Sequence, residues 1–134
     1  MLKITKAKPG MIAWEVTRSC NLNCVHCRAA SSCGPYKGEL DTAHCLRLID
    51  DIALAARPVI ILTGGEPLLR PDIFEIASYG TKKGLRMVMA TNGTLVNDKI
   101  AKQMIDSGIQ RVSVSIDGKN AQSHDDFRAE QGAF

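Results

Sequence analysis

The chain has 134 residues, 45% hydrophobic and 23% charged, with a net charge of +3. This is the length of one globular domain with a real core, and the scattered Lys and Arg, among which only Lys82-Lys83 are adjacent, argue against a nucleic-acid partner. No apolar stretch reaches membrane-spanning length, Met1-Leu2-Lys3-Ile4 opens no secretory signal, and five cysteines with three inside eight residues do not resemble a disulfide framework, so a reducing, cytoplasmic setting is expected. Aromatic residues are only 4%, which leaves Ile, Leu, Val, Ala and Met to fill the core. Ile12 to Thr17 mixes apolar and β-branched residues and reads as a first strand. A long loop over 18–40 follows, carrying Cys20, Cys24, Cys27, Ser31-Ser32 and Gly34-Pro35.

Asp41 can cap a first helix whose apolar positions Cys45, Leu46, Leu48, Ile49, Ile52 and Ala53 recur at helical spacing. Val59-Ile60-Ile61-Leu62, after Pro58, is continuously apolar and predicts a strand buried on both faces. Pro71 suits the first position of a second helix with Ile73, Phe74, Ile76, Ala77 and Tyr79 on its inner face, Lys82 and Lys83 in its last turn and Gly84 at its stop. Leu85 to Ala90 predicts a third strand. Asn97 predicts the cap of a third helix that turns Ile100, Ala101, Met104 and Ile105 inward and ends at Gly108. Val112, Val114 and Ile116 alternate with Ser113 and Ser115 in a fourth strand, and a polar, helical segment closes the chain.

The order βαβαβαβ predicts an α/β fold with a parallel sheet. Each strand runs straight into an unusual tract: the cysteine loop, Thr63-Gly64-Gly65-Glu66-Pro67, Thr91-Asn92-Gly93, and Ser115-Ile116-Asp117-Gly118. In parallel α/β proteins the carboxyl ends of the strands form one rim where ligands bind, so four tracts converge on one face. That convergence carries more weight than any single motif.

Cys20, Cys24 and Cys27 form a C-x3-C-x2-C run. Three thiolates on one loop suit a cubane iron–sulfur cluster with one iron left open, whereas an electron-carrying cluster usually has four protein ligands. An open iron points to chemistry on a bound small molecule. The competing reading, a zinc knuckle, needs a fourth ligand from His26 or Cys33. His26 is either a solvated loop residue or a ring packed on a ligand. Paired Gly64 and Gly65 would let a ligand approach the backbone, and Glu66 could accept from an ammonium group; a strand-to-helix turn and a surface carboxylate are the plainer readings. Asn92, Ser115 and Asp117 are turn residues that the rim raises to ribose-binding candidates. Cys33 and Cys45 read as structural, and His44 and His124 as surface residues.

Taken together, these motifs resemble the radical S-adenosylmethionine superfamily, in the right order and over nearly the whole chain. Asn21 to Ala29, and His124 to Arg128 through Gly132-Ala133-Phe134, are similar to enzymes of heme and heme d1 maturation and of pyrroloquinoline quinone synthesis. The resemblance implies that Cys20, Cys24 and Cys27 hold a 4Fe–4S cluster whose open iron is chelated by the amino and carboxylate groups of S-adenosylmethionine. It implies that Gly64, Gly65 and Glu66 border the methionine ammonium, that His26 lies near adenine, and that Asn92, Ser115 and Asp117 lie near ribose or the methionine carboxylate. One electron would break the sulfonium C–S bond, and a 5′-deoxyadenosyl radical would abstract hydrogen from a tetrapyrrole or other small-molecule substrate. An electron donor such as a flavodoxin or ferredoxin is implied, with no nucleic acid and no membrane as partner.

The resemblance departs in length. The family's partial TIM-like barrel has six strands and this chain reaches four, so residues 1–134 are expected to be the N-terminal portion of a core domain, truncated and incomplete. An open fourth strand would invite self-association. The alternatives are a peptide-modifying enzyme of the same superfamily, a catalytically inert fragment, and a zinc-binding module.

Overall fold

The computed structural model describes residues 8–134. Met1–Ile4, read above for the absence of a secretory signal, lie outside the described residues. The strands are β1 Met11–Thr17, β2 Val59–Gly64, β3 Arg86–Thr91 and β4 Val112–Val114. They alternate with α1 Thr42–Ala55, α2 Ile73–Lys82, α3 Asp98–Asp106 and α4 Ala121–Arg128. All neighbours pair in parallel, in the order β1-β2-β3-β4. The expected α/β unit is therefore present.

Register explains which residues become core. Ile12, Ile60 and Met87 stand in one row across the sheet, and Trp14, Leu62 and Met89 in the next row on the same face. That face packs against Cys45 and Ile49 of α1 and against Ile73, Ile76 and Ala77 of α2. Each fully buried aliphatic side chain there contributes about 1.5–3 kcal/mol. The opposite face carries Ala13, Glu15, Thr63 and Ala90, which line a hollow. Here β2 departs from expectation. Val59 and Ile61 are only half-buried, because among the described residues helices cover one face of the sheet. The small and polar residues on the other face leave room rather than fill it.

Helix starts follow local chemistry. Asp41 accepts from the His44 N–H at 2.8 Å and Asn97 from the Ile100 N–H at 3.0 Å. Asn120 and Ser123 form a capping box at α4. Asp72, before α2, makes no cap bond, because its carboxylate is taken by Arg70 and by Thr42 Oγ1 at 2.6 Å. This buried cluster starts α2 at Ile73, two residues later than Pro71 had suggested.

The far edge is thinner. On α3 the inner stripe runs through Ile100 and Met104, and Ile105, roughly 100° further round, is 75% exposed instead of inward. Strand β4 has only three residues, with Val114 50% exposed, and Ile116 lies beyond it at 65%. The predicted strand through Ile116 stops early because nothing among the described residues pairs with its outer edge or covers its faces.

Candidate functional site

The cysteine loop starts where β1 ends and is held there by the turn after β2. The Gly65 N–H donates to the Thr17 carbonyl and the Glu66 N–H to the Ser19 carbonyl, both at 2.8 Å. The two chain segments lie so close that a Cβ on Gly64 would run into the Thr17 carbonyl, and one on Gly65 into the Ser19 carbonyl. Gly64 also has φ +137°, a conformation that favours glycine. The glycine pair thus serves first to bring two strand ends together, and both residues also border the hollow.

Glu66 is not a surface carboxylate. It is fully buried and accepts from the Leu68 N–H at 3.0 Å, Thr91 Oγ1 at 2.8 Å and the Asn92 N–H at 2.8 Å. Its carboxylate ties the β2 turn to the end of β3, and it is not among the residues lining the hollow. Asn92 is clamped similarly, donating to Asn21 Oδ1 at 2.9 Å and accepting from Thr94. Through Asn21 it fixes the loop between the first two cysteines.

The three thiols border one hollow of about 580 Å³, together with His26, Gly64, Gly65, Asn92 and Ser115. Cys20 is buried; its N–H donates to the Ser32 carbonyl at 2.9 Å and its Sγ accepts from the Leu22 N–H at 3.4 Å. Burial, mainly, pushes the Cys20 thiol above its ordinary range. Cys27 Sγ accepts from the Ser31 N–H at 3.3 Å, and this bond, more than any other contact, holds that thiol below its ordinary range. Cys24 Sγ faces Arg128 Nη1 of α4 at 3.6 Å.

The other flank of the loop rests on α4. The Val25 N–H donates to the Phe127 carbonyl at 3.3 Å, and the His26 ring stacks on Phe127 with centroids 4.3 Å apart. Arg128 donates to the Ser115 carbonyl at 3.2 Å and forms an ion pair with Asp117. Asp117 therefore braces Arg128 and is not among the residues that line the hollow. His124, expected at the surface, is 2% exposed; its Nδ1 accepts from the Asp117 N–H at 3.1 Å and its ring meets Phe134 edge-on. Phe127, Arg128 and His124 were missed as site builders. Their positions at α4 spacing, on one side of an otherwise polar helix, were the available signal. His44 is exposed and Cys45 is buried in the core, as expected.

Among the described residues, no three His, Cys, Asp or Glu side chains converge closely enough to hold a single metal ion. Cys33 is exposed and does not border the hollow, and His26 is engaged by Phe127. Of the two candidate fourth ligands for zinc, only His26 borders the hollow with the three thiols. Three thiols spread around a cavity suit a larger inorganic core instead.

The Radical SAM superfamily profile matches residues 14–131. The chain belongs to the radical SAM superfamily. It is 55% identical over 134 residues to the AdoMet-dependent heme synthase of Methanosarcina barkeri, covering all of this chain and 38% of that protein. It is 38% identical over 124 residues to the pre-heme d1 synthase of Dinoroseobacter shibae, covering 92% of this chain and 30% of that protein. The chain thus spans about a third of the length of these relatives. The crystal structure of BtrN in complex with AdoMet and 2-DOIA superposes with a TM-score of 0.73 at 25% identity, over 91% of this chain and 52% of that one. Radical SAM proteins bind a 4Fe–4S cluster and AdoMet, and the donor set of this chain fits that pair: three thiols, two already hydrogen-bonded at sulfur by main-chain N–H groups, beside a hollow of small-molecule size.

Proposed function

We propose that this chain is the N-terminal, cofactor-binding portion of a radical SAM enzyme of heme-type tetrapyrrole biosynthesis. One observation carries the reading: the C-x3-C-x2-C thiols, the Gly64-Gly65 turn, Asn92 and Ser115 border a single hollow at the carboxyl ends of the strands. The identity to the heme synthase over the full chain supports the tetrapyrrole class.

When bound, the cluster and AdoMet supply one-electron cleavage of the sulfonium and hydrogen abstraction from substrate. The chain's own residues bind and orient. Cys20, Cys24 and Cys27 are the cluster ligands. Gly64 and Gly65 offer backbone at the wall of the hollow, where a methionine ammonium would be received, with Glu66 as the buried brace behind them. Asn92 and Ser115 stand on the side suited to a ribose or carboxylate, with Asp117 acting through Arg128. His26, on Phe127, supplies a flat surface suited to adenine. Leu22, Ala13 and Ala90 make part of the wall apolar and help exclude water. A small electron carrier of flavodoxin or ferredoxin type completes the reading, in a reducing, cytoplasmic setting. Among the described residues no helix is long and apolar enough to cross a membrane.

Iron and sulfide analysis of anaerobically loaded protein tests the ligand set. About four of each per chain are expected, falling away in Cys20→Ala, Cys24→Ala and Cys27→Ala. Zinc without sulfide would overturn the reading. AdoMet cleavage stimulated by an iron porphyrin tests the substrate class, and stimulation by a peptide instead would move the protein to the peptide-modifying branch.

A further inference from the structure

Among the described residues, two buried side-chain polar atoms lack a hydrogen-bond partner: Ser31 Oγ and Arg128 Nε. Both belong to residues that line the hollow. Both residues already reach a ligand sulfur through another atom, Ser31 through its N–H to Cys27 and Arg128 through Nη1 to Cys24. A buried hydroxyl without a partner is costly, so such groups in a folded protein are exceptions that need a reason. Ser31 is only 6% exposed, which denies its hydroxyl a solvent partner. The hydroxyl sits beside Cys27, whose sulfur already accepts the Ser31 N–H, yet it completes no hydrogen bond of its own. It is a donor held in reserve at one corner of the site.

We propose that Ser31 is a positioning residue for the iron–sulfur cluster, donating its hydroxyl to the cluster at the Cys27 corner and setting its reduction potential. The inference rests on the cluster reading above. Hydrogen bonds to the sulfurs of a cluster stabilise its more negative, reduced form and so raise its potential. The Ser31 N–H contributes to any residue at this position; the hydroxyl is the part that serine adds. Removing it should make the cluster harder to reduce without removing a ligand.

The test is an EPR-monitored redox titration of anaerobically loaded wild type, Ser31→Ala and Ser31→Thr. Ser31→Ala is expected to shift the midpoint negative by about the equivalent of a tenfold change in the reduction equilibrium, ~59 mV for a one-electron couple. Ser31→Thr, which keeps the hydroxyl, is expected to stay at the wild-type value. Exchange of the loaded protein into deuterated water should remove one more exchangeable-proton coupling from wild type than from the Ala variant. An unchanged Ala midpoint with wild-type iron content would overturn the inference while leaving the cluster reading intact. Where Ser31→Ala fails to hold a cluster, Ser31→Thr decides: a wild-type midpoint supports the hydroxyl, and loss of the cluster in both variants reduces Ser31 to packing and overturns the proposal. A wild type that holds zinc and no sulfide would overturn both readings.

Discussion

Cys20 and Cys24 are four residues apart, yet opposite kinds of structure hold them. On the Cys20 side, β1, β2 and β3 end together, and Gly65 and Glu66 fasten the loop entrance with main-chain bonds to Thr17 and Ser19. Thr17, Cys20, Glu66 and Thr91 there are buried, and several bonds fix each turn. On the Cys24 side, the loop touches α4 through one main-chain bond, one ring stack and the Arg128 guanidinium. The partners there lie about a hundred positions further along the chain. The Cys20 flank is part of the folding core, so damage to it should unfold the protein. The Cys24 flank is an accessory clamp, so damage to it should loosen the site and leave the fold standing.

The largest effect expected is from Glu66→Ala. It strands the Leu68 and Asn92 N–H groups and the Thr91 hydroxyl in a buried site, and a loss of roughly 3–5 kcal/mol is expected by urea unfolding. A loss under about 1 kcal/mol, the size of an ordinary surface change, would show that the Cys20 flank is not core.

Next is Asp72, on the same flank. Burial raises its pKa, but the hydrogen bonds from Arg70 and Thr42 outweigh it and hold the carboxyl below its ordinary value. A depressed folded-state pKa gives stability that is present above the unfolded value and lost as pH falls through the folded one. Wild-type stability should therefore decline below about pH 4. Asp72→Asn should be about 2–3 kcal/mol less stable at neutral pH and should show a flatter acid limb. An unchanged acid limb would remove Asp72 from the account.

On the other flank, Phe127→Ala removes the surface under His26 and should cost only about 1 kcal/mol of stability. Its larger effect should be several-fold faster loss of iron on chelator challenge, with the unfolding midpoint little moved. A large drop in stability with unchanged iron retention would invert the comparison. The smallest effect is expected at the sheet edge. Val114→Lys should change stability by less than about 0.5 kcal/mol, since Val114 is exposed and packs against little. If the open edge promotes self-association, the same variant should shift sedimentation toward monomer.

The contrast also explains what could be read from the sequence. Apolar periodicity in Ile49, Ile60, Met87 and Ile76 placed the core, and Asp41 and Asn97 placed two helix starts, because these signals are local. The cysteine triplet and the tracts after each strand placed the rim, because the topology of a parallel sheet brings strand ends together. The burial of Glu66 was not legible, since a carboxylate beside two glycines looks the same in sequence whether it lies at the surface or among three protein donors. Phe127, Arg128 and the burial of His124 were missed: their spacing marked one face of a helix but not what that face meets, because their partners Cys24, His26 and Asp117 are set by how α4 folds back. The short β4 was overread because alternation in Val112, Val114 and Ile116 signals a strand without saying whether anything will cover it.

EPR of the anaerobically loaded, reduced protein with and without AdoMet probes the open iron itself. A reduced-cluster signal that changes when AdoMet is added and is absent in Cys24→Ala is expected. A signal indifferent to AdoMet would contradict an open iron in this hollow, and bound zinc without any cluster signal would contradict the ligand assignment itself.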